Sequence, residues 1–412
     1  VKRKVTYVLL AAAVLLFSSC LGETDRAPYD KTLSSLSVET VYPEGYESCR
    51  REGVAVVAEE VNLGNRYEVP TDAAGLAKLT LPCGLYRVTV SDRLDEDIFN
   101  AAADRVKVSG AEASLRLGLL HSKAGSIVIK EIYCGGCKRL PLEGDYHYDS
   151  YVILHNNNVK TEYLDSLCFG TLMPFNSNAT NNWVKKDPVT GETVFNDFIP
   201  VAQCVWQFGG SGRDFPLEPG EDAVVVIFGA IDHTLQYPLS VNLNRPEYFV
   251  CYNPTYFTMT TYHPAPGDQI REDHILDVVK KTGQAKAYTF SQNSPAVVIF
   301  KARGTTMQEF VELEGSVKET PGDTHNPIIA IPEEWVVDAV EVFNGGSSSN
   351  TKRLSPTLDA GYVLLSDTSL GRTLFRYTDE DLTASSGFEV LKDSNNSSND
   401  FYERETQSLH ED

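Results

Sequence analysis

Four stretches of this sequence hold residue types that do chemistry. Cys134-Gly135-Gly136-Cys137 spaces two thiols as in a redox pair or half of a zinc site. A redox role needs a thioredoxin-like βαβ context, and the pattern around the motif has none. A zinc role needs a second ligand pair; His147 and His155 are near in sequence but lack the usual spacing. Structural or disulfide roles are therefore expected for these cysteines. Asp232-His233 follows an apolar run and pairs a carboxylate with an imidazole, the makings of a general base. The competing reading is a hydrogen-bonded histidine fixing a loop exit. Asp393, Asp400, Glu403 and Glu405 gather near the C-terminus with Asn395 and Asn396, an oxygen-rich set of the kind that holds calcium, though not at EF-hand spacing. Finally, residues 246–264, PEYFVCYNPTYFTMTTYHP, concentrate aromatic side chains. Tyr248, Tyr252, Tyr256, Phe257 and Tyr262 are the candidate binding residues, because exposed rings recognise sugars, planar ligands or protein partners. The competing reading places several of them in the core.

Familiar enzyme signatures are missing: no HExxH, no G-x-S-x-G, no Walker A and no dinucleotide fingerprint occurs. A non-enzymatic protein is expected. The formal charge is −21, from 36 Lys plus Arg against 57 Asp plus Glu, which argues against nucleic acid as a partner. At 412 residues, 42% hydrophobic, the chain should fold as two or three globular domains.

The N-terminus carries an address. A basic start precedes the apolar run Val8–Phe17, about half the ~20 residues of a membrane-spanning helix. The following Phe17-Ser18-Ser19-Cys20 resembles a bacterial lipobox, which implies a signal peptide over 1–19 and lipid attachment at Cys20. Residues 20–35 then form a tether. Glu23 and Asp25 in LGETD resemble the acidic tag that sends Bacteroidota lipoproteins to the cell surface; a periplasm-facing anchor is the alternative. With Cys20 acylated, seven cysteines remain, an odd number, so at least one stays free or buried. Cys49 and Cys83 are candidates to pair.

The elements that must position these residues read as short strands. LSVETVY alternates, GVAVVAEEV follows, and Thr71-Asp72-Ala73-Ala74-Gly75 makes a turn before further strands that end near Leu120. "TDAAG" followed by "LPCGLYRVTV" resembles the carboxypeptidase regulatory-like (prealbumin-like) domain, which implies a β-sandwich over 36–122 that acts as a spacer or docking unit. A second set of β-rich runs, separated by Gly, Pro, Asn and Asp clusters, extends over 125–412. Ala223–Ile231 is the longest apolar run and reads as a buried strand; Gly210-Ser211-Gly212 reads as a turn.

In order, "IVIKEIY", "YDSYVILHNN", "YLDSLCFG", "PLEPGEDAVVVI", "VVDAVEVFN" and "LGRTLFRY" resemble the lamin-tail-like domain, an immunoglobulin-like sandwich. Insertions interrupt it at about 173–200 and 231–294. Ile275–Lys281 reads as a short helix within the second insertion, and the terminal "SLHED" as frayed. The combination, with "DSNNSSNDF", resembles a poorly characterised group of Bacteroidota lipoproteins often encoded beside TonB-dependent receptors. The expected fold class is therefore all-β, two sandwiches in series. The expected function is a non-enzymatic outer-membrane lipoprotein, a binding or accessory subunit for TonB-dependent nutrient uptake. An envelope adhesion or structural module is the alternative. A metal-dependent hydrolase with its site in the insertions, using calcium or zinc, is the third reading.

Overall fold

The computed structural model describes residues 32–189, 193–345 and 349–410, so the expected signal peptide and Cys20 lie outside the described residues. The fold is all-β. Among the described residues no helix is long and apolar enough to cross a membrane.

The first unit is two facing sheets. One orders the strands Leu76–Pro82, Leu33–Val41 and Glu112–Gly118. The other orders Arg66–Pro70, Ala55–Glu60, Gly84–Leu94, Asp97–Val108 and Leu120–Lys123. Strict alternation in Leu33–Val41 turns Leu36 and Val38 inward, where they meet Leu79, Leu81, Tyr86, Val88 and Phe99. The 71–75 turn forms as its residue types dictate. Asp72 Oδ1 accepts from the Ala74 and Leu76 amides at 2.9 and 3.0 Å, and Gly75 supplies a φ of +75°.

The second unit is a larger sandwich. Its six-stranded sheet orders Phe249–Val250, Asp222–Val226, Tyr151–Asn156, Ile127–Tyr133, Thr373–Arg376 and Phe401–Arg404. The facing sheet centres on Phe198–Gln207, Cys168–Leu172, Ala296–Phe300 and Val336–Phe343. Ile129, Ile132, Val152 and Leu154 from the first sheet pack on Phe169, Trp206, Ile299 and Val340 from the second. The far side of the second sheet is also covered: Val201, Val298, Phe300, Ile329 and Ile331 form a cluster there with Met307 and Trp335. Burial on both faces is why Ala296–Phe300 reads as an unbroken apolar run rather than an alternating one.

Two expectations are corrected here. Asp277–Lys281 is a strand, not a helix, paired antiparallel to Phe198–Gln207 with Trp206 opposite Val278. Its β-branched Val278-Val279 pair favours the pleated conformation once an edge is offered. The 231–294 segment also reaches the core. It contributes Phe249, Cys251, Phe257, Leu276, Tyr288 and Phe290 to the main hydrophobic cluster. The C-terminal end is tied as well: the Ser408 amide donates to Glu131 at 3.0 Å, and Gln407 is buried.

The loop 393–399 fastens the two units. Arg93 donates to the Asp393 carbonyl at 2.9 Å, and Asn100 to the Ser394 carbonyl at 2.7 Å. Asn395 donates to Ser122 at 2.9 Å and Asn396 to Ser91 at 2.7 Å. Arg87 donates to the Ala360 carbonyl, and Tyr362 to Glu59 at 2.5 Å. Polar contacts of this kind, most of them part-buried, are directional and hold the units in one arrangement.

Candidate functional site

The strand Ile127–Tyr133 starts at the linker between the units and ends about 20 Å away, at ~3.3 Å per residue. At that remote end three loops, 138–148, 232–240 and 256–263, come together as a crown. Asp149 is its buried anchor. It accepts from Ser240 Oγ at 2.6 Å, the Gly136 amide at 3.0 Å and the Tyr133 hydroxyl at 3.1 Å. Burial raises its carboxyl above the usual range, and the Ser240 hydrogen bond is the largest opposing influence. Tyr146 stacks on Tyr237 at 4.0 Å, Arg139 lies 5.6 Å over the Tyr237 ring, and Tyr148 meets Tyr262 edge-on at 5.1 Å.

His233 is built into this crown. Its Nε2 lies 2.7 Å from the Gly229 carbonyl and its Nδ1 lies 2.7 Å from the Tyr146 hydroxyl. The carbonyl only accepts, so Nε2 carries the proton and Nδ1 accepts from tyrosine. Asp232 makes no dyad with it; the carboxylate caps the following turn, accepting from the Thr234 amide at 3.0 Å. Burial lowers the imidazole's basicity further. The ring is a loop fastener, and the general-base reading of Asp232-His233 is set aside because both nitrogens are committed.

The five candidate aromatics separate. Phe257 is core: it is 1% exposed and packs between Trp206 at 5.7 Å and Tyr288 at 5.9 Å. Tyr248 and Tyr252 pack on the cluster of Tyr133, Tyr151 and Val226, and Tyr252 also stacks on His263 at 5.0 Å. Tyr256 and Tyr262 stay at the surface, 48% and 37% exposed. Around the same loops the structure exposes Leu140, Leu142, Leu235, Leu239 and Met259. Reasoning from sequence missed these leucines. Their signal was present: isolated leucines inside polar loops, off any strand period.

His263 locks the aromatic loop from below. Its Nε2 accepts from the Asn253 amide at 3.0 Å, and burial lowers its pKa to about 4. The unfolded chain titrates near 6.5, so between these values the unfolded state binds the extra proton and the folded loop loses stability as pH falls. Hydrogen exchange is the measurement. Protection of the Asn253 amide should decline as pH drops from about 6.5 to about 4, after correction for intrinsic exchange rates.

Cys134 and Cys137 are buried, and Asp393, Asp400 and Glu403 of the acidic set lie in ion pairs. The seven cysteines among the described residues are all free, so Cys49 and Cys83 are unpaired. Burial pushes the Cys134 thiol up strongly and the Cys137 thiol up to about 12, the opposite of what a reactive thiolate needs. His155 is occupied elsewhere, by Asp222 at 2.6 Å and the Glu389 carbonyl at 2.9 Å. Among the described residues no group of three or more His, Cys, Asp or Glu is arranged to hold a metal ion. The C-terminal acids hold a different cation. Asp393 and Asp400, with Asp338, surround the buried guanidinium of Arg376, while Glu403 pairs with Arg372 at 2.8 Å.

Between the two units lies a cleft of about 1070 Å³. Its walls come from short pieces scattered from Arg93 to Asn395, which is why no single motif announced it. One wall carries Arg93, His121 and Lys123, the last two sharing Asp97 at 2.7 and 2.9 Å. The other carries Asp197, Arg303, Glu333 and Glu334. Glu333 is half-buried and accepts from Ser355 at 2.8 Å; burial raises its carboxyl above the ordinary range, and Asp197 adds to the rise.

No curated protein sequence matches the chain. Its fold is similar to the crystal structure of a DUF4876 family protein from Bacteroides thetaiotaomicron, with 22% identity and a TM-score of 0.53, over 90% of this chain and 94% of that one. BcpA, the major pilin subunit of Bacillus cereus, aligns over 41% of this chain and 49% of its own, at 13% identity and a TM-score of 0.16. Residues 218–408, which carry much of the crown and the whole Arg376 cluster except Ile129, match the family described as protein of unknown function, DUF4876.

Proposed function

We propose that this protein is a non-enzymatic surface lipoprotein that serves as a binding or accessory subunit of a TonB-dependent nutrient uptake system. Its first unit is read as a carboxypeptidase regulatory-like spacer and its second as a lamin-tail-like domain. Cys20 would carry the lipid at the outer membrane. The observation that carries the reading is the crown, where Tyr256, Tyr262, Met259, Leu140, Leu235 and Leu239 are exposed together on loops tied down by Asp149 and His233. Apolar and aromatic side chains on a rigid support favour protein docking, since little freedom is lost on binding. The crown lies one strand length beyond the linker between the two units.

The test uses the full lipidated chain in its own outer membrane. Affinity capture from a detergent extract should bring down a TonB-dependent barrel, identified by mass spectrometry. The double variant Tyr256→Ala, Tyr262→Ala should lower that capture by about tenfold or more. Tyr256 is exposed and Tyr262 loses only its edge contact with Tyr148, so the unfolding free energy should stay within about 1.5 kcal/mol of the parent. Absence of any such barrel with the parent chain, or equal capture by the variant, would sink the reading.

A further inference from the structure

The geometry points to the cleft between the two units as a binding site for the head group of a free α-amino acid, with its ammonium and carboxylate both unblocked. The argument starts from Arg303. The Lys301 amide donates to the Trp335 carbonyl at 2.9 Å, continuing the antiparallel pairing of Phe300 with Val336. Two residues on, Arg303 reaches the same rim as Glu333 and Glu334. The Glu333 amide in turn donates to the Asp197 carbonyl at 3.0 Å, which brings Asp197 to that rim. A guanidinium and three carboxylates thus line one wall, yet Arg303 makes no ion pair or hydrogen bond with any of them among the described residues.

An arginine beside carboxylates that it does not engage offers two complementary half-sites. The guanidinium presents paired donors suited to a carboxylate, and the carboxylates accept from an ammonium. An α-amino acid carries both groups on one carbon and bridges the two half-sites without disturbing either. Ligands carrying a single charge would satisfy one and leave the other facing a like or empty partner. The volume of about 1070 Å³ leaves room beyond the head group, and Asn157, Asn158 and Asn395 line that remainder with amides. The opening does not depend on a hinge. The 393–399 loop ties the first unit to the second through Arg93, Asn100 and Ser122, which holds the two walls in one arrangement.

This site is independent of the crown and stands or falls separately. The experiment titrates the full chain calorimetrically with each of the twenty free L-amino acids, then with the N-acetyl and the C-amide derivatives of whichever binds. At least one free amino acid should bind, and either block should weaken it by about tenfold, the equivalent of one lost charge-assisted hydrogen bond. Arg303→Ala should erase the difference between acid and amide while keeping the need for a free amine. Glu334→Gln should do the converse. Both side chains are exposed, so the variants should fold as the parent does. No binding by any of the twenty through the millimolar range would overturn the inference. So would equal binding of free and blocked forms, or variants that bind as the parent does.

Discussion

Arg376→Met is expected to lower the unfolding free energy by about 3–5 kcal/mol at pH 8, the range for removing one partner of a buried ion pair. The side chain is fully committed. Nε donates to the Ile129 carbonyl at 2.7 Å and Nη1 to the Lys392 carbonyl at 2.9 Å. Nη2 reaches Asp338 at 2.5 Å, Nη1 lies 3.4 Å from Asp393 and 3.8 Å from Asp400, and the guanidinium rests 4.6 Å over Phe401. Methionine fills the volume but leaves three buried carboxylates without their cation. Burial already pushes Asp338 up to about 7 and Asp400 up to about 6, with the Asp393 charge adding to both and Arg376 opposing.

Raised carboxyls favour the protonated folded form. Their contribution to stability is present below the unfolded value near 3.9 and is lost as pH rises through about 6 to 7. Removing Arg376 raises these carboxyls further, so the penalty of the substitution should be smaller at pH 5 than at pH 8. His263 and His233 push the parent's stability the other way with pH, but they are common to both proteins and cancel in the difference. Urea unfolding of parent and variant at the two pH values measures it. A penalty independent of pH would mean that the carboxyls do not titrate with the fold. The damage should also spread to the cleft, because Asp393 Oδ2 accepts from the Gly125 amide in the linker at 2.8 Å.

Arg376 shows what could be read in the sequence. "LGRTLFRY" supplied the strand and its arginine, and the alternating and continuous apolar runs supplied the all-β fold, because strand periodicity is a local property. The partners could not be read that way. Asp338, Asp393 and Asp400 lie far from Arg376 along most of their separations, and the last two resembled a calcium loop by type alone. Local chemistry was satisfied, but only the tertiary fold decides which cation fills the nest. The aromatic segment could be read only in part, for a related reason. Phe257 and Tyr256 are adjacent, one core and one exposed, because the backbone there follows no period that would assign faces. The strand at Asp277–Lys281 was misread since the seven residues Ile275–Lys281, with two lysines at the end, suit a helix until an open sheet edge is known to be present.

Gly136→Ala should be the most damaging change in the crown, costing about 3 kcal/mol or more, whereas Cys137→Ser in the same motif should cost about 1 kcal/mol or less. Gly136 sits at φ +132°, a conformation that an L side chain avoids, and a Cβ there would lie 1.4 Å from the Thr368 carbonyl oxygen. No rotation of a flexible side chain relieves that clash, because the obstacle is backbone. The Gly136 amide also donates to Asp149 Oδ1, and its carbonyl accepts from the Gly371 amide at 2.8 Å. Moving this peptide therefore detaches the 366–371 loop and the Asp149 anchor together. A redox or metal reading of Cys134-Gly135-Gly136-Cys137 makes the opposite ranking, with the thiols indispensable and the glycines mere spacers. Thermal unfolding of both variants, with and without a thiol reductant, separates the two. A cysteine variant that loses more stability than the glycine variant, or a reductant that shifts the parent's transition, would return the motif to thiol chemistry.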